Sequence, residues 1–233
     1  MQTNFADFDN EFESDSFGKV LDTNVYDATI KYVYLTESKS KTTGLNVVLD
    51  IDGKEINPDT IWITYKDGVT HKVIEGKKVT PPGLRKFNDL AYCALGVTLK
   101  QLGEPENKPI NLYNYEQQKK VPTMCPCYPT LSGKKIQVGL RKFNKHKSTL
   151  VGSTYVPTTT TYYINVVDKF YTPEGKLAIE QVSNKEAAYK DKWLNANKGK
   201  VFEEDLKGVT PIAANGNPAA NSNESPAKSL GFD

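Results

Sequence analysis

Few side chains in this sequence have the types and spacing that catalysis or metal binding requires. The pair Cys125 and Cys127 is the nearest approach to a metal motif, but no second Cys or His pair stands near it, as a structural zinc site needs. The two histidines, His71 and His146, lie far apart, and lysines flank His146. The chain has no nucleophile elbow, P-loop, HExxH motif or Gly-rich dinucleotide motif. We therefore predict that the protein is not an enzyme and binds no metal or cofactor.

The clearest chemical signal is a long basic segment. Residues 117–167 contain eight lysines or arginines and no acid. A charge distribution of one sign favours binding to a polyanion. The alternative is a solvated surface that happens to be rich in lysine. The eight bases are Lys119, Lys120, Lys134, Lys135, Arg141, Lys142, Lys145 and Lys147.

Within this segment, residues 133–143 have the alternation of a β-strand. One face carries Ile136, Val138 and Leu140, and the other carries Lys135, Gln137, Gly139, Arg141 and Phe143. A base could stack on Phe143 while Lys135 and Arg141 hold phosphates, which is the usual way of binding a single strand. The alternative is that Phe143 packs beneath a loop.

Aromatic residues recur around the basic segment, and rings interleaved with bases on strands are typical of single-strand binding. The chain has 13 Tyr, 9 Phe and 2 Trp, so some of these rings must belong to the core. The predicted nucleic-acid-binding residues are Trp62, Tyr113, Tyr115, Tyr128, Phe143, Tyr155 and Tyr163, together with Lys134, Lys135, Arg141, Lys142, Lys145 and Lys147.

The elements that must position these residues are mostly strands. The patterns predict strands at 27–35, 45–53, 54–65, 108–116, 135–143 and 161–171, with a hairpin turn at Asp52-Gly53. In the second strand, alternation places Leu45, Val47, Leu49 and Ile51 on one face, and the Cys-Pro-Cys stretch (125–127) is expected in a linker. Helical spacing predicts a helix over 81–95, a short second helix over 98–102 and a polar helix over 184–206. Three strands, a helix and two strands is the order of an OB-fold, and another small β-barrel or sandwich is the alternative.

The predicted fold is therefore mainly β. It is an OB-fold-like five-stranded barrel with one helix between strands 3 and 4, plus a C-terminal helix and disordered tails. The division is an acidic flexible arm (1–18), the OB-fold-like domain (19–180), the C-terminal helix (181–207) and a disordered tail (208–233) rich in Pro, Asn, Ala and Ser. The charges follow this division, because residues 1–16 carry five acids and no base, within a chain of net charge +2.

The stretch DATIKYVYLTESKSKTTGLNVVLDIDGKEINPDTIWITYKDG (27–68) and the helix PPGLRKFNDLAYCALG (81–96) resemble bacteriophage single-stranded DNA-binding proteins built on an OB-fold. The likeness covers about residues 20–175 and is a pattern of strand, turn and helix, not a strict motif. It implies coating of single-stranded DNA in replication and recombination. Such proteins often end in a flexible acidic tail with an aromatic tip that recruits replication partners. This chain ends in Phe232-Asp233, while acids alternate with Phe5, Phe8, Phe12 and Phe17 at its N-terminus.

From these patterns we predict a non-catalytic single-stranded DNA-binding protein that coats and protects single strands during phage DNA replication and recombination. Its expected partners are single-stranded DNA and replication proteins, the latter recruited through the N-terminal arm or the C-terminal tip. No apolar run approaches the roughly 18 residues of a membrane span, and the acidic N-terminus does not read as a signal peptide. Three cysteines without an export signal predict no disulfide framework. The expected location is the cytoplasm of an infected bacterial host. The alternative is a β-rich viral structural or protein-interaction module.

Overall fold

The computed structural model describes residues 20–114 and 117–213, without the side chain of Asn114. The predicted arm (1–18), Tyr115 and the predicted tail beyond residue 213 lie outside these ranges. The strands are β1 (Asn24–Glu37), β2 (Thr43–Ile51), β3 (Lys54–Ile56), β4 (Ile61–Trp62), β5 (Lys72–Ile74), β6 (Lys77–Val79), β7 (Glu106–Asn114), β8 (Lys119–Cys127), β9 (Lys135–Val151), β10 (Thr154–Tyr171) and β11 (Val201–Glu203). The helices are α1 (Pro82–Leu95), α2 (Leu99–Leu102), α3 (Ala178–Val182) and α4 (Tyr189–Asn197).

The fold is mainly β, as predicted, and is built around one large sheet in the strand order β10-β9-β1-β2-β3. Strand β4 adds to β2, β11 runs parallel to β9, and the β7–β8 hairpin joins β1 where Tyr34 pairs with Cys127. The sheet is not closed into a barrel. Between the β3–β4 connection and β10, the described residues form one backbone hydrogen bond, from the Asp59 N–H to the Asn165 carbonyl (2.7 Å).

Along β1, the buried residues switch from even-numbered to odd-numbered positions because of a β-bulge. Ala28 and Ile30 are buried, the register shifts between Ile30 and Tyr32, and Val33 is buried next. The extra residue of a bulge reverses the in-and-out alternation of the side chains that follow it. Both halves of β1 therefore direct side chains into the same core. Strand β2 buries Leu45, Val47, Leu49 and Ile51 on the predicted core face, and Val48 is also buried, on the opposite face.

Helix α1 packs its apolar face against this core, as its spacing predicts. Pro82 occupies the first turn, and Gly96 ends the helix in the left-handed conformation (φ 72°). Phe87 and Leu90 are buried against the sheet. Gly83 lies so close to β4 that a Cβ there would overlap the Trp62 carbonyl oxygen, so the start of the helix needs glycine at this position.

Two local predictions were wrong. The predicted helix over 184–206 is shorter, because α4 ends at Asn197, Gly199 takes a positive φ (75°), and residues 201–203 pair with β9 instead. Pairing along a sheet edge here overrides helical propensity. The Cys-Pro-Cys stretch, expected in a linker, lies in β8, where Pro126 is tolerated because the hairpin is weakly attached to the sheet. Strands β9 and β10 are also longer than predicted, at 17 and 18 residues.

Candidate nucleic-acid interface

The long β9–β10 hairpin carries most of the predicted site. Its first part is anchored by pairing from Lys135 to Leu140 with β1, and the remainder extends past the start of β1. The extension exposes Tyr155 (70%) and Tyr163 (51%), with Lys147 also exposed. The Lys142 Nζ lies 5.1 Å from the centroid of the Tyr163 ring, which is a cation–π distance. This part of the hairpin therefore combines open aromatic faces with positive charge.

Folding brings acids from elsewhere in the chain to three of the eight predicted bases. Arg141 pairs with Asp168 (2.9 Å), Lys142 with Asp22 (3.0 Å) and Lys145 with Asp59 (2.7 Å). Residues 117–167 contain no acid themselves, but acids from other segments partly neutralise their charge in the folded protein. The other five bases are exposed and form no ion pair with any described residue: Lys119, Lys120, Lys134, Lys135 and Lys147.

The ion pair between Lys145 and Asp59 has the shortest distance of the three. Partial burial works to lower the pKa of Lys145, but the hydrogen bond and negative charge of Asp59 outweigh it and raise that pKa. Lys145 therefore keeps its proton throughout the neutral range. The contact also ties the β9–β10 hairpin to the connection that leads into Trp62.

One face of the Phe143 ring is covered. Its ring stacks on Phe202 of β11, with centroids 5.4 Å apart and planes inclined by 26°. The Arg141 guanidinium lies 4.7 Å from the centroid of the same Phe202 ring. Phe143 thus packs against a strand, β11, and not beneath a loop as in the alternative interpretation, and it is not part of the proposed site.

Helix α4 covers the neighbouring part of the same β9 face. The Trp193 indole packs against Gly139, and its N–H donates to Asp168 Oδ2 (2.6 Å). Lys190 donates to the Gln137 side-chain oxygen (3.2 Å). The face that alternation assigned to DNA is therefore, along residues 137–143, a packing surface for the C-terminal segment.

A second group of rings lies on the outer face of β1, β2 and β4. Trp62 is half-exposed and lies over Gly44 of β2. On β1, the rings of Tyr32 and Tyr34 are 6.0 Å apart, and burial raises the pKa of Tyr34 to about 12. Trp62 was among the predicted binding residues, whereas the two tyrosines were not. Their i, i+2 spacing in Lys31–Leu35 was the available signal, since residues two apart share a strand face.

The β7–β8 hairpin borders this outer face. It exposes Tyr113, Met124 and two lysines near its turn, Lys119 and Lys120. The pKa of Glu55 on β3 is lowered mainly by the hydrogen bond from Lys31, and the charge of Lys120 adds to this. Lys120 is therefore close enough to Glu55 for its charge to act on that carboxylate.

Tyr128, which was predicted to bind nucleic acid, and His146 have structural roles. Tyr128 is half-buried and meets Phe87 of α1 edge-on, with ring centroids 5.1 Å apart, so it belongs to the core packing. His146 uses Nδ1 to contact the Thr158 carbonyl oxygen (2.6 Å), and its backbone N–H donates to Glu204 (2.9 Å). The backbone of His146 thus ties the hairpin to the C-terminal segment.

The described residues contain no cluster of three or more His, Cys, Asp or Glu side chains able to hold a metal ion. All three cysteines are free and buried, and burial raises the pKa of Cys93 to about 12 and also raises those of Cys125 and Cys127.

The native protein is therefore expected to show almost no reaction with a thiol reagent near pH 8, because the nucleophile is the thiolate. Three thiols should react after unfolding in guanidinium chloride. A colorimetric thiol assay on the native and unfolded protein measures both values. Rapid labelling of one or more native thiols would contradict this prediction.

No protein-family model matches the chain, and no curated protein matches it in sequence. Within residues 20–114 and 117–213, none of the helices is long and apolar enough to cross a membrane.

Proposed function

We propose that this protein binds single-stranded DNA without catalysis and coats it during phage DNA replication and recombination, in the cytoplasm of an infected bacterial host. The observation that carries the proposal is the β9–β10 hairpin, where exposed tyrosine rings stand beside lysines in a segment without acids. Bases of any sequence can stack on such rings, while the lysines neutralise phosphates. Replication proteins are proposed as further partners, through the acidic arm or the C-terminal tip.

We further propose that the sheet is an OB-fold variant. The strand order supports this: β1, β2 and β3–β4 form a meander, α1 follows, and β9 and β10 return with β9 antiparallel to β1. In a closed barrel, the β3–β4 region and β10 would pair as neighbouring strands, and the Asp59–Asn165 hydrogen bond lies between them. In OB-folds, oligonucleotides cross the face of strands 2 and 3 and contact the loops beside it. The corresponding surface here carries Trp62, with the β9–β10 hairpin beside it.

In this proposal the site residues divide by chemistry. Tyr155, Tyr163 and Trp62 supply stacking surfaces, and Tyr113 extends them onto the β7–β8 hairpin. The exposed lysines bind phosphates, which carry no sequence information, so binding is expected to be nearly independent of base sequence. Displacing Asp22 from Lys142 costs little, because Asp22 is exposed and exposed ion pairs contribute about 0–1 kcal/mol, whereas Lys145 stays paired with Asp59.

Tyr155→Ala and Tyr163→Ala are each expected to weaken binding of an oligo(dT) strand by about 1–3 kcal/mol, since each removes one stacking surface. The melting temperature should stay close to that of the unchanged protein, because both rings are exposed. Fluorescence titration gives the affinity, and thermal denaturation gives the stability.

The matched control for these variants is Tyr189→Ala, which removes an exposed ring on α4, outside both hairpins. It should leave the affinity unchanged. If Tyr155→Ala, Tyr163→Ala and Tyr189→Ala all bind the oligo(dT) strand with the same affinity, the proposal that bases stack on the hairpin is wrong. If the unchanged protein binds neither single nor double strands, the alternative of a β-rich structural or protein-interaction module is favoured.

A further inference from the structure

A small hairpin outside the main sheet has a surface that the proposed DNA site does not use. Strands β5 and β6 form a separate two-stranded sheet. They are joined by Glu75 and Gly76, whose φ values of 50° and 74° suit the tight turn of a two-residue hairpin loop. Every residue from Lys66 to Lys78 is exposed. The hairpin therefore projects into solvent with both faces open.

Each face of this hairpin carries one exposed aliphatic side chain with a lysine directly across from it, because Val73 and Ile74 are consecutive and point to opposite faces. Val73 (69% exposed) pairs across the strands with Lys78, and Ile74 (53% exposed) pairs with Lys77. Residues 66–79 hold four lysines against two acids. Exposed apolar side chains rimmed by charge mark contact sites for proteins. Valine and isoleucine offer no π-face on which a base could stack, so a nucleic acid is the poorer fit.

The N-terminal arm (1–17) has the complementary pattern. Phe8 stands between Asp7 and Asp9, and Phe12 stands between Glu11 and Glu13. Each ring with flanking acids matches an aliphatic side chain with a lysine beside it. The arm is also the most acidic part of the sequence, with five acids and no base in residues 1–16.

The position of the hairpin favours the arm of another copy of the chain. The arm enters the fold just before Asn24, at the start of β1. The base of the hairpin is held beyond the other end of β1, where the Asp67 N–H donates to the Ser40 carbonyl (3.1 Å). Fourteen residues of strand span about 45 Å when straight. Arm and hairpin thus lie at opposite ends of β1, as a head-to-tail contact between copies requires.

We propose that the β5–β6 hairpin binds the acidic arm (residues 1–17) of a neighbouring copy. The arm crosses the edge of the hairpin, so that one of Phe8 and Phe12 contacts Val73 and the other contacts Ile74 on the opposite face, with the flanking acids on Lys72, Lys77 and Lys78. Because the contact is heterologous, each copy has one arm to offer and one hairpin to fill, so copies can line up in a row. On a DNA strand such a row would make coating cooperative. That consequence rests on the proposed function, whereas the contact itself does not.

The test uses the full chain without DNA, so its outcome is independent of the proposed function. Sedimentation velocity over a hundredfold range of protein concentration is expected to show association that weakens as salt is added. Val73→Ser/Ile74→Ser, on the hairpin, and Phe8→Ser/Phe12→Ser, in the arm, should each weaken the association about tenfold or more. The matched control Ile179→Ser/Val182→Ser removes two equally exposed aliphatic side chains on α3 (66% and 60% exposed) and should have no effect.

Mixing the two defective variants gives the sharpest result. The hairpin variant keeps an intact arm, and the arm variant keeps an intact hairpin, so together they should form a one-to-one pair although neither associates alone. A full chain that stays monomeric at every concentration would overturn the proposal. Association that survives the hairpin substitutions, or a mixture that fails to pair, would also overturn it.

Discussion

Binding of single-stranded DNA is expected to weaken roughly 100-fold when the salt concentration rises from about 50 mM to about 200 mM. Five exposed lysines form no ion pair with any described residue and are free to meet phosphates. Each phosphate contact on a single strand contributes about −0.7 to the slope of log K against log salt concentration, so five contacts give a slope of about −3.5. Fluorescence titration of an oligo(dT) strand at several salt concentrations measures the slope.

Two lysines of the β9–β10 hairpin provide the control for this slope. Lys147 is exposed and forms no ion pair with a described residue, whereas Lys145 is held by Asp59. Lys147→Gln should therefore make the slope shallower by about 0.7, and Lys145→Gln should change it less. A flat salt response, or equal affinity for double-stranded DNA, would be incompatible with a site built from phosphate contacts on a single strand.

Trp193→Ala is expected to lower the free energy of unfolding by about 3–5 kcal/mol, the usual range for truncating a buried aromatic side chain. The Trp193 side chain is buried, packs against Gly139 of β9 and donates to Asp168, which also pairs with Arg141. Its loss leaves a cavity between α4 and β9. Urea denaturation followed by circular dichroism measures the change.

Trp193→Phe separates packing from hydrogen bonding at this position. Phenylalanine keeps an aromatic ring against Gly139 but cannot donate to Asp168, so the expected loss is about 1–2 kcal/mol. If Trp193→Ala costs less than about 1 kcal/mol, α4 contributes little to the stability of the sheet, and the C-terminal segment is an appendage.

Local sequence patterns correctly predicted those elements in which neighbouring residues alone indicate the buried face or the ends. The alternation in Leu45–Ile51 and in Ile136–Leu140 identified core faces, because residues two apart share a strand face. Pro82 and Gly96 marked the ends of α1, because proline suits the first turn and glycine the left-handed stop. Such signals need no knowledge of distant parts of the chain.

The candidate site was less predictable because its electrostatics depend on distant contacts. Lys142 meets Asp22 across 120 residues of sequence, and Lys145 meets Asp59 across 86. No local pattern indicates which acid will approach which lysine. Phe143 illustrates the same limit, since its surroundings depend on Phe202, in a segment whose composition predicts a helix.

The ends of the described fold are clasped together at Thr23. Gly199 donates to the Thr23 carbonyl (2.8 Å), and the Thr23 hydroxyl donates to the Lys200 carbonyl, 177 residues away in sequence. A chain emerging from the ribosome therefore cannot make this contact, or pair β11 with β9, until nearly the whole fold has been synthesised. Until then the middle of β9 stays an open edge, which other chains can pair with. Contacts between residues so far apart in sequence also form slowly. We therefore expect folding to finish only after the last structured residues have been synthesised and have made these contacts.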